Sequence, residues 1–232
     1  MLKPITRETA NRLNCLIIGG AGIGKTSLIR TIPEGEKILV LSCEGGLLAV
    51  RDLVEAGEIE GFEVGSFADL KEAYQLLHSP DFKTRYQWIF IDSLTEISGK
   101  CLESVQAKYP SKTDSYNLWG EFSDNLTHII KAFRDLTNYS VVFTCLPTIQ
   151  VDDLKRRYVG ADVAGKQLKE RLPSYFDLVL YMISKEDENS NENRIFLTSP
   201  SDRYPAKDRS GKLLQIEQPN LASVKFKILG GI

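Results

Sequence analysis

The sequence predicts an α/β fold: a mostly parallel central sheet with helices on both faces and a β-hairpin extension at the C-terminal side. Three observations predict it. Short apolar runs, each the length of one buried strand, alternate with helix-like stretches from residue 15 to residue 182. A glycine-rich turn, Gly19-Gly20-Ala21-Gly22-Ile23-Gly24, directly follows the first run. A later run, Trp88-Ile89-Phe90-Ile91, closes on the carboxylate of Asp92.

The elements follow in order. Cys15 to Ile18 is the first strand, and Thr26-Ser27-Leu28-Ile29-Arg30 reads as the opening turn of a helix. Lys37 to Ser42 and Gly61 to Val64 are the next strands, separated by a segment after Gly46 and followed by a helix from Asp69 to Leu77. Trp88 to Asp92 leads into a helix from Leu94 to Tyr109, which Pro110-Ser111-Lys112-Thr113-Asp114-Ser115 interrupts. Trp119 to Leu136 carries Phe122, Leu126, Ile129, Ile130 and Phe133 near a 3.6-residue period, so it is an amphipathic helix. Ser140 to Thr144 is another core strand; a polar loop from Pro147 to Gly165 and a short helix from Lys166 to Arg171 come after it. Phe176 to Met182 and Arg194 to Thr198 form two strands joined by the polar stretch from Ser184 to Asn193. With no repeat or low-complexity linker, the 232 residues read as a single domain, with a core of about 13–183 and a hairpin and finger segment of about 184–232.

Composition narrows the class. At 42% apolar residues the chain can bury roughly 70–75% of its unfolded surface without a covalent staple. The four cysteines, Cys15, Cys43, Cys101 and Cys145, show no metal-ligand spacing and mostly sit in apolar runs, so they read as reduced and the chain as cytoplasmic. No signal peptide and no membrane span is expected. The net charge of −2 provides no global attraction for nucleic acid, so any polynucleotide site must be local.

Gly19 to Thr26 matches Gly-x-x-x-x-Gly-Lys-[Ser/Thr], a phosphate loop. Such a loop turns its N–H groups inward around phosphate oxygens, so Gly19, Gly20, Ala21, Gly22, Ile23, Gly24, Lys25, Thr26 and Ser27 are the expected nucleotide-binding residues. Lys25 would meet the β- and γ-phosphates, and the Thr26 hydroxyl would ligate Mg²⁺. Asp92 supplies the second half of an ATPase metal site, holding Mg²⁺ through water. Hydrolysis also needs a group that orients or deprotonates the attacking water. The residue after Asp92 is Ser93, which leaves Glu44 and Glu96. Glu44 ends a strand, where a carboxylate faces the ligand crevice of an open α/β sheet, and is the preferred candidate.

These residues resemble the RecA-type recombinase and helicase branch of P-loop ATPases, in Ser42-Cys43-Glu44-Gly45-Gly46 and Asp92-Ser93 as well as in the phosphate loop. More narrowly, the chain is similar to phage-encoded RecA-like ATPases of single-strand annealing recombination. The shared parts are Ala164-Gly165-Lys166 before Leu172-Pro173-x-Tyr175-Phe176-Asp177, and Tyr204-Pro205-Ala206-Lys207-Asp208-Arg209-Ser210-Gly211. The resemblance covers roughly positions 13 to 215 and implies ATP and Mg²⁺ as ligands and Glu44 as the base. It further implies a homo-oligomeric ring or filament, single-stranded DNA and a single-strand binding protein as partners, and the host cytoplasm as the location. Lys207 and Arg209 would then enter a neighbour's site as transition-state cations. Lys155, Arg156, Arg157 and Tyr158 would form a DNA-binding loop, with a companion around Lys108 to Tyr116. Where such recombinases place an amide sensor, this chain has Thr144, with Gln150 as a second candidate. A small-molecule phosphotransferase with a lid between Lys155 and Arg171, and a nucleotide-gated loader of a partner protein, are the alternative functions.

Overall fold

A computed structural model describes residues 11–45, 47–109, 115–186 and 192–230. The strands are β1 (Asn14–Gly19), β2 (Ile38–Ser42), β3 (Ile59–Glu63), β4 (Trp88–Asp92), β5 (Ser140–Cys145), β6 (Pro147–Val151), β7 (Arg157–Ala161), β8 (Leu178–Glu186), β9 (Glu192–Leu197), β10 (Lys207–Asp208) and β11 (Ile216–Glu217). The helices are α1 (Arg51–Glu55), α2 (Phe67–Leu76), α3 (Pro80–Lys83), α4 (Leu94–Gln106), α5 (Ser115–Arg134), α6 (Lys166–Arg171) and α7 (Leu221–Leu229).

Six strands run parallel in the spatial order β3-β2-β4-β5-β1-β8. β9 folds back antiparallel on the outer half of β8, β10 pairs antiparallel with its first residues, and β11 extends the edge beyond β9. The expected α/β class and the C-terminal hairpin are both present. β6 and β7 form a separate two-stranded ribbon.

Alternation along each strand divides the core between two faces. Leu16, Ile18, Leu39, Leu41, Ile89, Ile91 and Phe143 pack with the apolar stripes of α2, α4 and α5. Cys15, Ile17, Ile38, Val40, Trp88, Phe90 and Val142 face the other way, toward Leu28 and Ile29 after the glycine loop and Leu221 and Val224 of α7. On α5 the buried residues are Phe122, Leu126, Ile129, Ile130 and Phe133, the stripe that its 3.6-residue period predicts.

Several local expectations differ from the structure. The turn after the glycine loop is a six-residue 3-10 helix, Thr26–Thr31, rather than the start of an α-helix. Pro33 stops it: the residue before a proline is pushed into extended backbone, and Ile32 sits at φ −73°, ψ 143°. Residues 147–161, expected as a loop, form the β6–β7 ribbon, and β3 is a largely exposed edge strand. The expected break at 110–115 lies mostly outside the described residues. No described helix is long and apolar enough to cross a membrane.

Candidate functional site

The strand ends assemble the site. β1 leads into the glycine loop, where Gly22 (φ 71°) and Gly24 (φ 100°) occupy left-handed backbone that a side chain would strain. Gly19 lies close against β8: a Cβ there would sit 2.9 Å from the Met182 carbonyl oxygen. The loop thus rests on the β8 backbone.

Lys25 is only 8% exposed, and its Nζ donates to the carbonyls of Gly19 and Gly20, each at 2.9 Å. Burial pulls this ammonium below its ordinary pKa, and the negative charges of Asp92 and Glu44 partly restore it. An ammonium short of negative charge is suited to receive a phosphate.

β4 carries Asp92 to the same rim, where it is 5% exposed. The Thr26 hydroxyl donates to Asp92 Oδ2 at 2.6 Å, and the Thr144 hydroxyl, at the end of β5, donates to Oδ1. β5 is the strand between β1 and β4, so the loop, the carboxylate and Thr144 come from three adjacent strands. The Asp92–Ser93 peptide is cis, and Ser93 caps α4 by accepting from the Glu96 N–H. Thr26 and Asp92 are hard oxygen donors in contact, a set that fits Mg²⁺, which is usually held by one or two protein oxygens together with phosphates and water. Among the described residues no group of three or more His, Cys, Asp and Glu forms an all-protein metal cage.

Glu44 follows β2 and is exposed. Its neighbour Cys43 donates its N–H to the Asp92 carbonyl at 2.6 Å, so the chain bearing Glu44 is held against the end of β4. Glu96 is also exposed, one turn into α4. Burial pushes the Cys43 thiol up to about 12; Lys100 lowers it, while Asp92, Glu44 and Glu96 raise it, so both glutamates act on this corner.

Other expected residues lie elsewhere. Lys207 pairs with Val179, three residues back along β8 from the Met182 that pairs with Gly19, which is roughly 10 Å at a strand rise of about 3.3 Å. Its Nζ donates to the carbonyls of Phe176 (2.7 Å) and Pro173 (3.2 Å), and Arg209 pairs with Asp177 at 2.6 Å. Both cations therefore sit at the opposite end of the sheet from the loop of their own chain. In the β6–β7 ribbon, Lys155 and Arg157 are exposed, Arg156 is paired with Asp152 at 2.8 Å, and the Tyr158 hydroxyl donates to Gln150. The Gln150 amide also donates to the Ala161 carbonyl, so it is held within the ribbon, and Thr144 alone of the two sensor candidates bonds Asp92. From the companion loop, Lys108 and Tyr109 both bond Glu121, and Tyr116 is exposed.

Two features of the site were not among the expected residues. One is the ribbon's position: with Gly19 and Gly20, residues Thr148, Ile149, Arg203 and Tyr204 line one cleft of about 270 Å³. The other is Arg194 of β9, whose guanidinium lies over Gly24. The alternation of β6 (Thr148 and Gln150 in, Ile149 and Val151 out) was a readable strand signal. For Arg194 the sequence holds no signal, since only the pairing of β8 with β9 brings it to the loop.

A glycine loop after the first strand, a lysine within it and a threonine–aspartate pair beside it define a P-loop NTPase-type nucleotide-binding protein. The family model of an AAA domain matches residues 11–210, and the chain belongs to that family. No curated protein matches the chain.

Proposed function

We propose that this chain hydrolyses ATP and couples the reaction to single-stranded DNA during annealing or recombination. Lys25 and the loop N–H groups bind the phosphates. Thr26 and Asp92 would hold Mg²⁺, which neutralises phosphate charge when bound. Glu44 orients the attacking water and accepts its proton. In an oligomer, Lys207 and Arg209 act on a neighbour's nucleotide, once Lys207 has released the carbonyls it now holds.

The observation that carries the coupling is the path from Asp92 to the ribbon. Thr144 bonds the Asp92 carboxylate, and β6 begins only three residues later, at Pro147. The ribbon then shares a cleft with Gly19 and Gly20. A shift of Asp92 on phosphate binding reaches the ribbon through one hydrogen bond and a short stretch of chain. Lys155 and Arg157, exposed near the ribbon turn, are the cations that would meet DNA phosphates.

Fluorescence anisotropy of a labelled oligothymidylate, titrated at several salt concentrations with ATP present, tests this. Binding should weaken steeply with salt. Replacing Lys155 and Arg157 together by Ala should reduce the log–log salt slope by about 1.4, at roughly 0.7 per phosphate contact on a single strand. Absence of salt-sensitive binding, together with no stimulation of hydrolysis by the oligonucleotide, would reject the DNA assignment.

One observation favours a second reading. The ribbon also exposes Ile149 (71%) and Leu154 (73%), apolar side chains suited to a protein partner, as in a nucleotide-gated loader. On that reading Ile149→Ser and Leu154→Ser abolish partner function and leave oligonucleotide binding intact.

A further inference from the structure

The β8–β9 hairpin rises past the rim of the sheet beside the glycine loop. Gly19 pairs with Met182, and β8 continues four residues further to Glu186. On this extension Ser184 lies directly opposite Arg194 of β9, so their side chains project from the same face of the hairpin. Met182 and Phe196, two residues away on either strand, belong to the core face that also receives Leu28 and Ile29. Arg194 and Ser184 therefore face the loop side rather than the α2, α4 and α5 side.

Two facts mark this pair. A Cβ built on Gly24 would lie 2.6 Å from an Arg194 guanidinium nitrogen and 3.7 Å from Met182 Cε, so the guanidinium occupies the space directly over the residue before Lys25. Arg194 makes no ion pair with any described carboxylate, a state it shares with the exposed Arg157, Arg171 and Arg203; what sets it apart is its place over the loop. Ser184 Oγ, opposite it, is buried and has no hydrogen-bond partner among the described residues. A buried hydroxyl without a partner is uncommon, because its desolvation is uncompensated. Beside an unpaired, exposed guanidinium it marks a place for an acceptor from outside the chain, which reaches the closed-off Oγ only once neighbouring side chains move.

We propose that Arg194 and Ser184 form an additional contact for the nucleotide's phosphate chain, supplied by the same subunit from the hairpin side of the loop. This rests on the phosphate-loop reading above and adds to it a cation distinct from Lys25, Lys207 and Arg209. A planar guanidinium can donate two parallel N–H bonds to a phosphate, and the Ser184 hydroxyl adds a third donor from the neighbouring strand. Gly24 is required to be glycine by its positive φ; the guanidinium over it is the end of a flexible side chain that can shift.

The test is equilibrium binding of ATP and of inorganic tripolyphosphate, both with Mg²⁺, to the full chain and to Arg194→Ala, Arg194→Lys and Ser184→Ala. Arg194 is exposed and unpaired, so its removal leaves the fold in place; an unchanged melting temperature verifies this. Arg194→Ala should weaken both ligands about tenfold or more, the loss expected for a hydrogen-bonded charge contact. Arg194→Lys should recover part of the loss, and Ser184→Ala should weaken both by a smaller factor. Unchanged affinity for both ligands in Arg194→Ala overturns the proposal while leaving the phosphate loop standing. Weakened ATP with unchanged tripolyphosphate also overturns it, since Arg194 would then meet the base or ribose. If the unaltered chain binds neither ligand, the phosphate-loop reading itself fails and this inference fails with it.

Discussion

Glu44→Gln should lower ATP turnover by about 10²–10⁴-fold while leaving ATP affinity within a few-fold, the range for loss of a general base. The substitution keeps shape and hydrogen-bonding reach and removes only the ability to take a proton. Glu44 stands at the rim because the Cys43 N–H is bonded to the Asp92 carbonyl, and its charge acts on the Lys25 ammonium. Glu96, capped into the first turn of α4, is the control: Glu96→Gln should change turnover by no more than a few-fold. Single-turnover phosphate release and equilibrium ATP binding, measured on the same samples, check both. A large loss in Glu96→Gln with a normal Glu44→Gln would transfer the role to α4.

Lys25→Met should reduce ATP affinity by about 100-fold or more and abolish turnover, because it removes the buried cation that meets the phosphates and retains the aliphatic stem. The same variant carries a signature in the nucleotide-free protein. Burial holds the Lys25 pKa below its ordinary value of 10.5. Between the folded value and 10.5 the unfolded chain holds a proton that the folded chain has released, so unfolding free energy rises with pH across that window. Below the window both states are protonated and the cost of the buried charge is fully present. Denaturant titrations at stepped alkaline pH should show wild type gaining stability relative to Lys25→Met as pH approaches 10.5. Parallel pH profiles for the two proteins would mean that Lys25 is not desolvated in the fold.

The parts of the candidate site that rest on local pattern stand out in the sequence. Gly19 to Thr26 announces itself by spacing, and Asp92 by closing the apolar run of β4. The α5 stripe follows from its period. What was not legible depends on contacts distant in the chain. Thr26 to Arg30 has helical composition, yet Pro33 confines it to a single 3-10 segment. Thr144 is one of two sensor candidates in the sequence, and only the place of β5 between β1 and β4, which brings its hydroxyl to Asp92, separates it from Gln150. α7 is short, and Leu221 and Val224 gain meaning only because they cover the sheet face beside Ile29. Lys207 and Arg209 attract notice as a Lys-x-Arg pair, but the antiparallel register of β10 on β8 sends them away from their own chain's loop. Arg194 has no sequence signature, and the register of β9 on β8 carries it to Gly24.

On this reading the loop, Thr26, Asp92 and Glu44 act together as a magnesium-dependent ATPase site. The most direct measurement is inorganic phosphate release from ATP by the purified chain, with Mg²⁺ and again after chelation by EDTA, with Glu44→Gln assayed alongside. Release should require Mg²⁺ and fall to background in Glu44→Gln. Release that persists in EDTA, or that Glu44→Gln leaves unchanged, would contradict it.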